Sequence, residues 1–419
     1  MTDRNGNSTL ILPALLFDGT GSAAKPDQAV LIAAEAIVAV GDKEQIVANA
    51  PPTAETIELS SACLTPGLID GHTHLSLAGD DRDYTGMFAD SDEVMVLTGA
   101  MNMREHLAAG ITSIREHGAR NMVGFALKEG LDRGYIPGPS MLVSGRPLTC
   151  SGGHFHMCNE VADGDAEIRK SVRRLVHEGA DYIKIMASGG GTPGTTPGIA
   201  SYTQEELHAA VHEAANFGRV TAAHCRARES MLRAVKAGIH LIEHAEYLDP
   251  NNNYSFDPKL TEMMVDSGVW VSPTIQASTG YQLTLELERR RDTSQLTPAE
   301  EVELGELLER RTGRLEVLRR MLEYDLRERI VPGTDSGVRY LAFGHMDFEL
   351  RLLVEVGFTP AEALKAATAT SATAVGLEDR GTIEPGKVAD LAAFAGDPTK
   401  DIGALSRVEA VFQAGRRVY

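Results

Sequence analysis

The stretch PGLIDGHTHL, residues 66–75, decides the fold of this 419-residue chain. A short apolar run ends in His72 and His74, which stand two positions apart, so an extended strand directs both imidazoles to the same side. Such a pair alone does not establish a metal site. The pattern gains weight because ligand-type residues also end later apolar runs, namely Lys184 in DYIK, His224 in VTAAH, His244 in HLIEH and Asp335 in VPGTD.

These apolar runs alternate with amphipathic stretches between about residues 64 and 377, which is typical of repeated βα units. Strands are predicted at 67–75, 111–116, 140–145, 181–186, 219–224, 239–244, 269–274 and 329–335. Helices are predicted at 91–109, 164–178, 203–217, 227–237 and 360–375, the last begun by Thr359-Pro360. Eight strands predict an α/β fold, a (β/α)8 TIM barrel, in which the carboxyl ends of the strands converge on one face.

The two ends of the chain differ from the middle. Residues 1–63 and 378–419 contain short apolar runs separated by turn signals, which favours antiparallel strands. We expect these ends to form one β-sandwich domain beside the barrel of residues 64–377. A stretch rich in Leu, Glu and Arg at about 283–329 predicts a helical insertion, either a solvated outer hairpin or a lid or subunit contact.

Composition excludes several classes of partner. The net charge of −19 disfavours nucleic acid and anionic membranes. No apolar stretch approaches the roughly 18 to 20 residues that cross a bilayer, and the first residues lack the features of an export signal. The 4 cysteines are scattered and indicate neither a disulfide framework nor a thiolate metal site. We therefore expect a cytoplasmic homo-oligomer that acts on a small-molecule substrate.

The motifs quoted above resemble the amidohydrolase superfamily, in particular its binuclear branch of prolidase-like and imidazolonepropionase-related hydrolases. The passage ATATSATAVGLEDRGTIEPGKVADLAAF, residues 367–394, is similar to the C-terminal part of that family. The resemblance implies two divalent metal ions, with zinc expected. It implies that His72, His74 and Asp335 bind the more buried ion, that His224 and His244 bind the more exposed one, and that Lys184, carboxylated by CO2, bridges both.

The chemistry of these residue types agrees with the implied roles. A lysine ammonium has no lone pair for a metal, whereas a carbamate is an anionic oxygen donor. Asp335 could also accept a proton from the attacking water and deliver it to the leaving nitrogen, as a catalytic residue. The alternatives are a snorkelling barrel lysine or a partner for a substrate phosphate at Lys184, and an Asp335 that only caps the following turn.

Residues around the metals are candidates for substrate binding. His154 and His156 belong to the GGHFH segment after the third strand, and Tyr247 follows His244 in EHAEYLD. Arg226 is a further candidate for a substrate carboxylate. The loop MASGGGTPGTTPG, residues 186–198, is interpreted as flexible and substrate-facing, and Arg115, Glu116 and His117 as support for the metal ligands. Ordinary hydrogen bonding within the loop is the alternative for His154 and His156, and packing under the loop is the alternative for Tyr247.

We predict a hydrolase that cleaves an amide-type C–N bond, in an Xaa-Pro-like dipeptide or an N-acyl amino acid, through a metal-activated hydroxide. The alternatives are a mononuclear deaminase or cyclic-imide hydrolase of the same superfamily, a hydrolase of carbamates, ureas or lactones, and a non-enzymatic scaffold. The deaminases commonly carry a glutamate where this chain has Ala227. That difference, together with Lys184, favours the binuclear hydrolase, and the filled ligand positions disfavour a scaffold.

Overall fold

The computed structural model describes residues 8–293 and 295–419. The strands of these residues are β1 (Ser8–Leu16), β2 (Gln28–Ala33), β3 (Ala36–Asp42), β4 (Glu55–Pro66), β5 (Leu68–Thr73), β6 (Ile111–Glu116), β7 (Ser140–Val143), β8 (Ile183–Met186), β9 (Thr221–Ala227), β10 (Leu241–Leu248), β11 (Trp270–Ser272), β12 (Leu391–Ala395), β13 (Val408–Gln413) and β14 (Arg416–Arg417).

The α-helices of the same residues are α1 (Lys43–Asn49), α2 (Tyr84–Met87), α3 (Asp92–Ala108), α4 (Val123–Asp132), α5 (Gly164–Glu178), α6 (Gln204–Asn216), α7 (Arg228–Ala237), α8 (Pro258–Ser267), α9 (Ile275–Thr279), α10 (Tyr281–Asp292), α11 (Pro298–Leu322), α12 (Met346–Glu355), α13 (Pro360–Lys365) and α14 (Ser371–Val375). Short 3-10 turns lie at His156–Cys158, Arg327–Arg329 and Ile402–Ser406.

The two ends of the chain meet in one seven-stranded sheet, in the order β14-β13-β12-β4-β1-β2-β3. The meeting of the termini agrees with the sequence expectation, but all seven strands belong to a single hydrogen-bonded sheet. β4 also runs to Pro66, past the predicted boundary at residue 63. The division of the chain into two domains stays a prediction.

Strand β12 shows how this sheet packs against the middle of the chain. Leu391 and Ala393 pack into the core of the terminal sheet, whereas Ala392 and Phe394 pack into the main core. Successive side chains of a strand point to opposite faces, so one strand serves both cores. The terminal sheet is therefore held against the parallel strands by apolar burial.

The middle of the chain contains two parallel sheets, β5-β6-β7 and β8-β9-β10-β11. Seven of the eight predicted strands are confirmed. The eighth, 329–335, is an extended segment that is bridged to its neighbours at Ile330 and Ser336 only. Pro332 has no N–H to donate, and Asp335 has a φ of +56°, so a regular ladder cannot form there. Backbone hydrogen bonds of 2.8 Å join this segment to both sheets, from Val331 to Val271 and from His74 to Ser336.

The predicted helices agree closely with the structure, and the 283–329 region forms the antiparallel pair α10 and α11. Thr297 and Glu300 form a capping box at the start of α11, and Thr359 and Glu362 do so at α13. The predicted helix 360–375 is continuous but contains a π-helical turn at Ala366–Thr370. Among the described residues, no helix is both long and apolar enough to cross a bilayer.

Candidate metal centre

Six side chains from distant parts of the sequence line one cavity of about 150 Å³. They come from the parallel strands β5, β8, β9 and β10, from the residue just after β5 and from the extended segment 330–336, which run in the same direction because successive βα units return each strand the same way. All six are buried. They are His72, His74, Lys184, His224, His244 and Asp335.

The distances within this group are short. Asp335 Oδ1 lies 3.2 Å from His72 Nε2 and 3.4 Å from His74 Nε2. The ring centroids of His72 and His244 are 5.2 Å apart, and those of His224 and His244 are 4.4 Å apart. One donor atom each from His72, His244 and Asp335 lie within 4.8 Å of one another, a separation that suits ligands of a single ion.

Three of the histidines are oriented by hydrogen bonds on the nitrogen that faces away from the cavity. His72 Nδ1 lies 2.8 Å from Glu243 Oε2, and His244 Nδ1 lies 2.7 Å from Thr274 Oγ1. His224 is held through Nε2, 3.0 Å from the carbonyl oxygen of Gly189. In each ring the second nitrogen is left for the cavity, which is how proteins fix the tautomer of a metal-binding histidine.

The pKa values of three histidines and of Asp335 describe electron-pair donors, whereas the pKa of His72 is raised, because the lowering by burial and by Lys184 is outweighed by Asp335 and Glu243. Burial lowers the pKa of His74, His224 and His244, which keeps these rings neutral. Burial alone would raise the pKa of Asp335, but the charge of His72 and the hydrogen bonds from His72 and His74 hold it well below its usual range. Neutral imidazoles and an ionised carboxylate are the forms that bind a divalent metal.

Lys184 is the unusual member of the group. It is fully buried, and its Nζ has no hydrogen-bond partner among the described residues. Burial lowers the pKa of Lys184 to about 8, and Glu243 and Asp335 oppose that shift. A buried amine without a partner is costly, so an added group at this nitrogen would relieve an unsatisfied polar atom. The donor set as a whole fits a divalent metal centre.

Strained backbone conformations are concentrated at this site. His244, Thr274 and Asp335 have φ values of +68°, +42° and +56°, a region that side-chain-bearing residues rarely adopt. The turn at His244 breaks the alternation of β10. As a result the consecutive residues Glu243 and His244 both lie against His72, although a regular strand would direct them to opposite faces.

The neighbours of His72 include two of the residues expected to support the ligands. The ring of His117 stacks on that of His72, with centroids 4.0 Å apart, and its Nε2 lies 2.8 Å from the carbonyl oxygen of Gly71. Arg115 Nη1 lies 3.7 Å from Glu243 Oε1. These contacts place a layer of buried charge directly behind the candidate ligands.

The three predicted substrate-binding residues have different positions. His154 lines the cavity, and its Nδ1 lies 2.8 Å from Thr192 Oγ1. His156 does not line it and instead contacts the carbonyl oxygen of Gly153 through Nδ1. Tyr247 is fully buried outside the cavity, where its hydroxyl lies 2.8 Å from Thr261 Oγ1. Of the three, His154 lines the cavity and His156 and Tyr247 do not, and the substrate-binding roles stay predictions.

The first part of the glycine-rich loop after β8 is packed, whereas Gly191, Pro193 and Gly194 are exposed. Gly189 and Gly190 are buried, and the Gly190 N–H donates to Thr195 Oγ1. A Cβ at Gly190 would lie 2.5 Å from His154 Nε2, and one at Gly191 would lie 2.3 Å from Tyr84 Cε2. The loop is rich in glycine because the His154 and Tyr84 rings occupy the space that side chains would need.

Gly190→Ala is therefore expected to displace the His154 ring from the cavity and to lower kcat/KM by at least about 10-fold, on the scale of a mispositioned binding group. Metal content is measured alongside, because the carbonyl oxygen of the neighbouring Gly189 holds the candidate ligand His224, and a fall in kcat/KM assigns a role to His154 only where the metal content is native. Steady-state kinetics and metal analysis check this. Gly305→Ala on α11, where a Cβ would meet nothing within 4 Å, is the matched control. Full activity of Gly190→Ala would contradict a role for His154.

Sequence reasoning missed several residues of the site. Glu243 had a visible signal, a charge inside the apolar run HLIEH, whereas Thr274 and Tyr84 had none. The cavity also contains Glu246, which pairs with Arg226 through contacts of 2.9 and 3.0 Å. Glu246 thus balances the charge of Arg226, which the sequence had offered as a candidate for binding a substrate carboxylate.

The fold and the cavity together define a class of enzyme, the hydrolases that act on carbon–nitrogen bonds from the carboxyl ends of parallel strands. The model of the amidohydrolase family matches residues 63–418, and the chain belongs to that family.

Two relatives are similar over nearly the whole chain. Ochratoxinase from Aspergillus niger is 28% identical over 435 residues, covering 96% of this chain and 84% of the relative. Its crystal structure superposes with a TM-score of 0.78 and 26% identity, covering 98% of this chain and 95% of that one. A Xaa-Pro dipeptidase solved with methionine in its active site has a TM-score of 0.82 and 25% identity, covering 98% and 99% of the two chains.

Proposed function

We propose that this enzyme hydrolyses the amide bond of an Xaa-Pro-like dipeptide or of an N-acyl amino acid. The observation that carries the proposal is the convergence of four histidines, Asp335 and the unpartnered Lys184 amine in one buried cavity. The two relatives support the substrate class, since one is named for a dipeptide and the other for ochratoxin.

In this proposal His72, His74, His224, His244 and Asp335 hold two divalent metal ions, zinc in our expectation, with Lys184 between them. When bound, the ions lower the pKa of water toward neutrality and polarise the scissile carbonyl. The neutral Lys184 amine reacts with CO2, forming an N–C bond and releasing one proton. The resulting carbamate supplies the oxygen atoms that an ammonium group lacks.

The chain's own residues then position the substrate and move the proton. Asp335 takes a proton from the attacking water at its carboxylate and delivers it to the nitrogen of the breaking C–N bond. His154, held by Thr192, lies beside the candidate ligand His224, with ring centroids 4.7 Å apart, and donates a hydrogen bond to the substrate. Glu243 holds His72 through Nδ1 and thereby keeps its Nε2 directed to the cavity.

Closure of the two parallel sheets into a barrel belongs to the same proposal. The bridges from Leu148 to Ile185, Val271 to Ile330 and Thr73 to Ser336 support it, because they join the ends of both sheets. A ring of strands would bring all six candidate ligands to one rim. The homo-oligomer and the cytoplasmic location stay predictions.

A substrate panel on zinc-loaded protein tests the function. We expect turnover of dipeptides or N-acyl amino acids and two metal ions per chain. Aryl carbamates, anilides and lactones are included in the same panel. Their turnover without any dipeptide or N-acyl amino-acid hydrolysis would overturn the substrate class, and a single ion per chain would favour the mononuclear deaminase.

A further inference from the structure

A second cavity, of about 290 Å³, lies beneath the helical pair α10 and α11. It shares Ala277, Arg310 and Val338 with the candidate metal centre, so the two cavities adjoin. Its apolar wall is formed by Leu283, Leu307 and Leu341. The predicted helical insertion is therefore part of the wall of the active-site region.

Arg314 anchors α11 in this position. Its side chain is fully buried, and its guanidinium donates to the carbonyl oxygen of Ala245 at 3.1 Å and to that of Pro273 at 3.0 Å, and also to that of His244. The charged guanidinium of Arg314 therefore donates hydrogen bonds to backbone carbonyl groups at or near the candidate ligand His244. These bonds fix α11 to the end of β10.

Arg310 stands one helical turn before Arg314, on the same face of α11. Three arginines line the two adjoining cavities, namely Arg226, Arg310 and Arg339. Arg226 is paired with Glu246, and Arg339 donates to the Asp81 carbonyl oxygen and to Tyr340. Arg310 lines both cavities while remaining exposed, and its guanidinium forms no ion pair or hydrogen bond with any residue of 8–293 and 295–419.

We propose that Arg310 binds the carboxylate of the leaving amino acid, and that the second cavity holds an apolar side chain of the same amino acid. This inference rests on the proposed function and specifies its substrate. An unmatched guanidinium is the group best suited to a carboxylate, because its N–H donors match both oxygens. Glu303 and Glu306 lie on the rim of the second cavity and repel acidic side chains.

Calorimetric binding of L-phenylalanine and L-phenylalaninamide to the zinc-loaded enzyme tests the inference without requiring turnover. The native enzyme should bind the free acid more tightly than the amide by about 10-fold or more, the range for a charged hydrogen bond. Arg310→Gln should bind both compounds alike, and Arg310→Lys should restore part of the preference. Arg319→Gln is the matched control, since Arg319 lies on the same helix and its side chain is 44% exposed.

Turnover separates this inference from the proposed function. Arg310→Gln should raise KM for N-acetyl-L-phenylalanine while leaving hydrolysis of N-acetyl-L-phenylalaninamide near the native rate. N-acetyl-L-aspartate should be the poorer substrate of the native enzyme. If Arg310→Gln keeps the native preference for the free acid, Arg310 is not the carboxylate-binding residue, even if amide hydrolysis itself is established.

Discussion

Lys184→Ala is expected to lose one or both metal ions and nearly all activity. The buried Nζ has no other partner among the described residues, so the substitution removes a group whose only proposed role is to bridge the ions after carboxylation. Alanine leaves a space at the centre of the donor set, and the remaining histidines and Asp335 cannot supply the missing oxygen atoms. The donor set would then lack the anionic group that would offset the repulsion between two bound cations.

Metal analysis and kcat measured on the same preparation check this result. Bicarbonate or a short-chain carboxylic acid should restore part of the activity, because a small carboxylate can enter the space and provide the lost oxygens. Lys170→Ala, at an exposed position on α5, controls for the loss of a lysine elsewhere. Full metal content and native turnover in Lys184→Ala would show that the bridging role is wrong.

Asp335→Asn is expected to keep most of the metal while kcat falls by about 10²-fold or more, the typical contribution of general acid–base catalysis. The amide retains a coordinating oxygen of similar size, and it can still lie near the Nε2 atoms of His72 and His74. It cannot take a proton from the attacking water. The loss should therefore appear in kcat rather than in metal affinity.

The measurement pairs steady-state kinetics with metal stoichiometry, and Asp165→Asn on the surface of α5 serves as the control. Native kcat together with weakened metal binding would limit Asp335 to the role of a ligand. A variant that loses both metal and activity would be followed by Asp335→Glu, which keeps the proton acceptor and lengthens the side chain. Recovery of turnover in that variant would restore the proton-transfer role.

Much of the architecture was determined by the sequence itself. The spacing of apolar residues predicted seven parallel strands and the helices between them. A helix with one buried face and a buried central strand each have a characteristic apolar spacing that is visible in the local sequence. His72, Lys184 and His244 are ligand-type residues that each stand near the end of an apolar run. They meet in the structure because parallel strands end on the same side. The helical pair α10 and α11 was likewise visible from its composition and from the capping residues.

Only the tertiary structure decided which neighbours of those strand ends face the cavity. Phe155, between His154 and His156, has a φ of +60°, and that turn separates the two histidines. Tyr247, with a φ of +55°, turns its ring away to Thr261. Left-handed residues break the two-residue alternation on which a sequence argument depends, and spacing does not reveal them.

The same holds for contacts between distant elements. Gly190 looks flexible in the sequence, yet it is buried, and the rings of His154 and of Tyr84 at the start of α2 occupy the space that side chains at Gly190 and Gly191 would need. Arg310 is one of many charged residues on α11, and its spacing does not distinguish it from a solvent-exposed residue. Arg310 lies beside the cavity because Arg314, on the same helix, binds carbonyl oxygens at and near His244. Arg314 and His244 are 70 residues apart in the sequence, so no local sequence pattern predicts this contact.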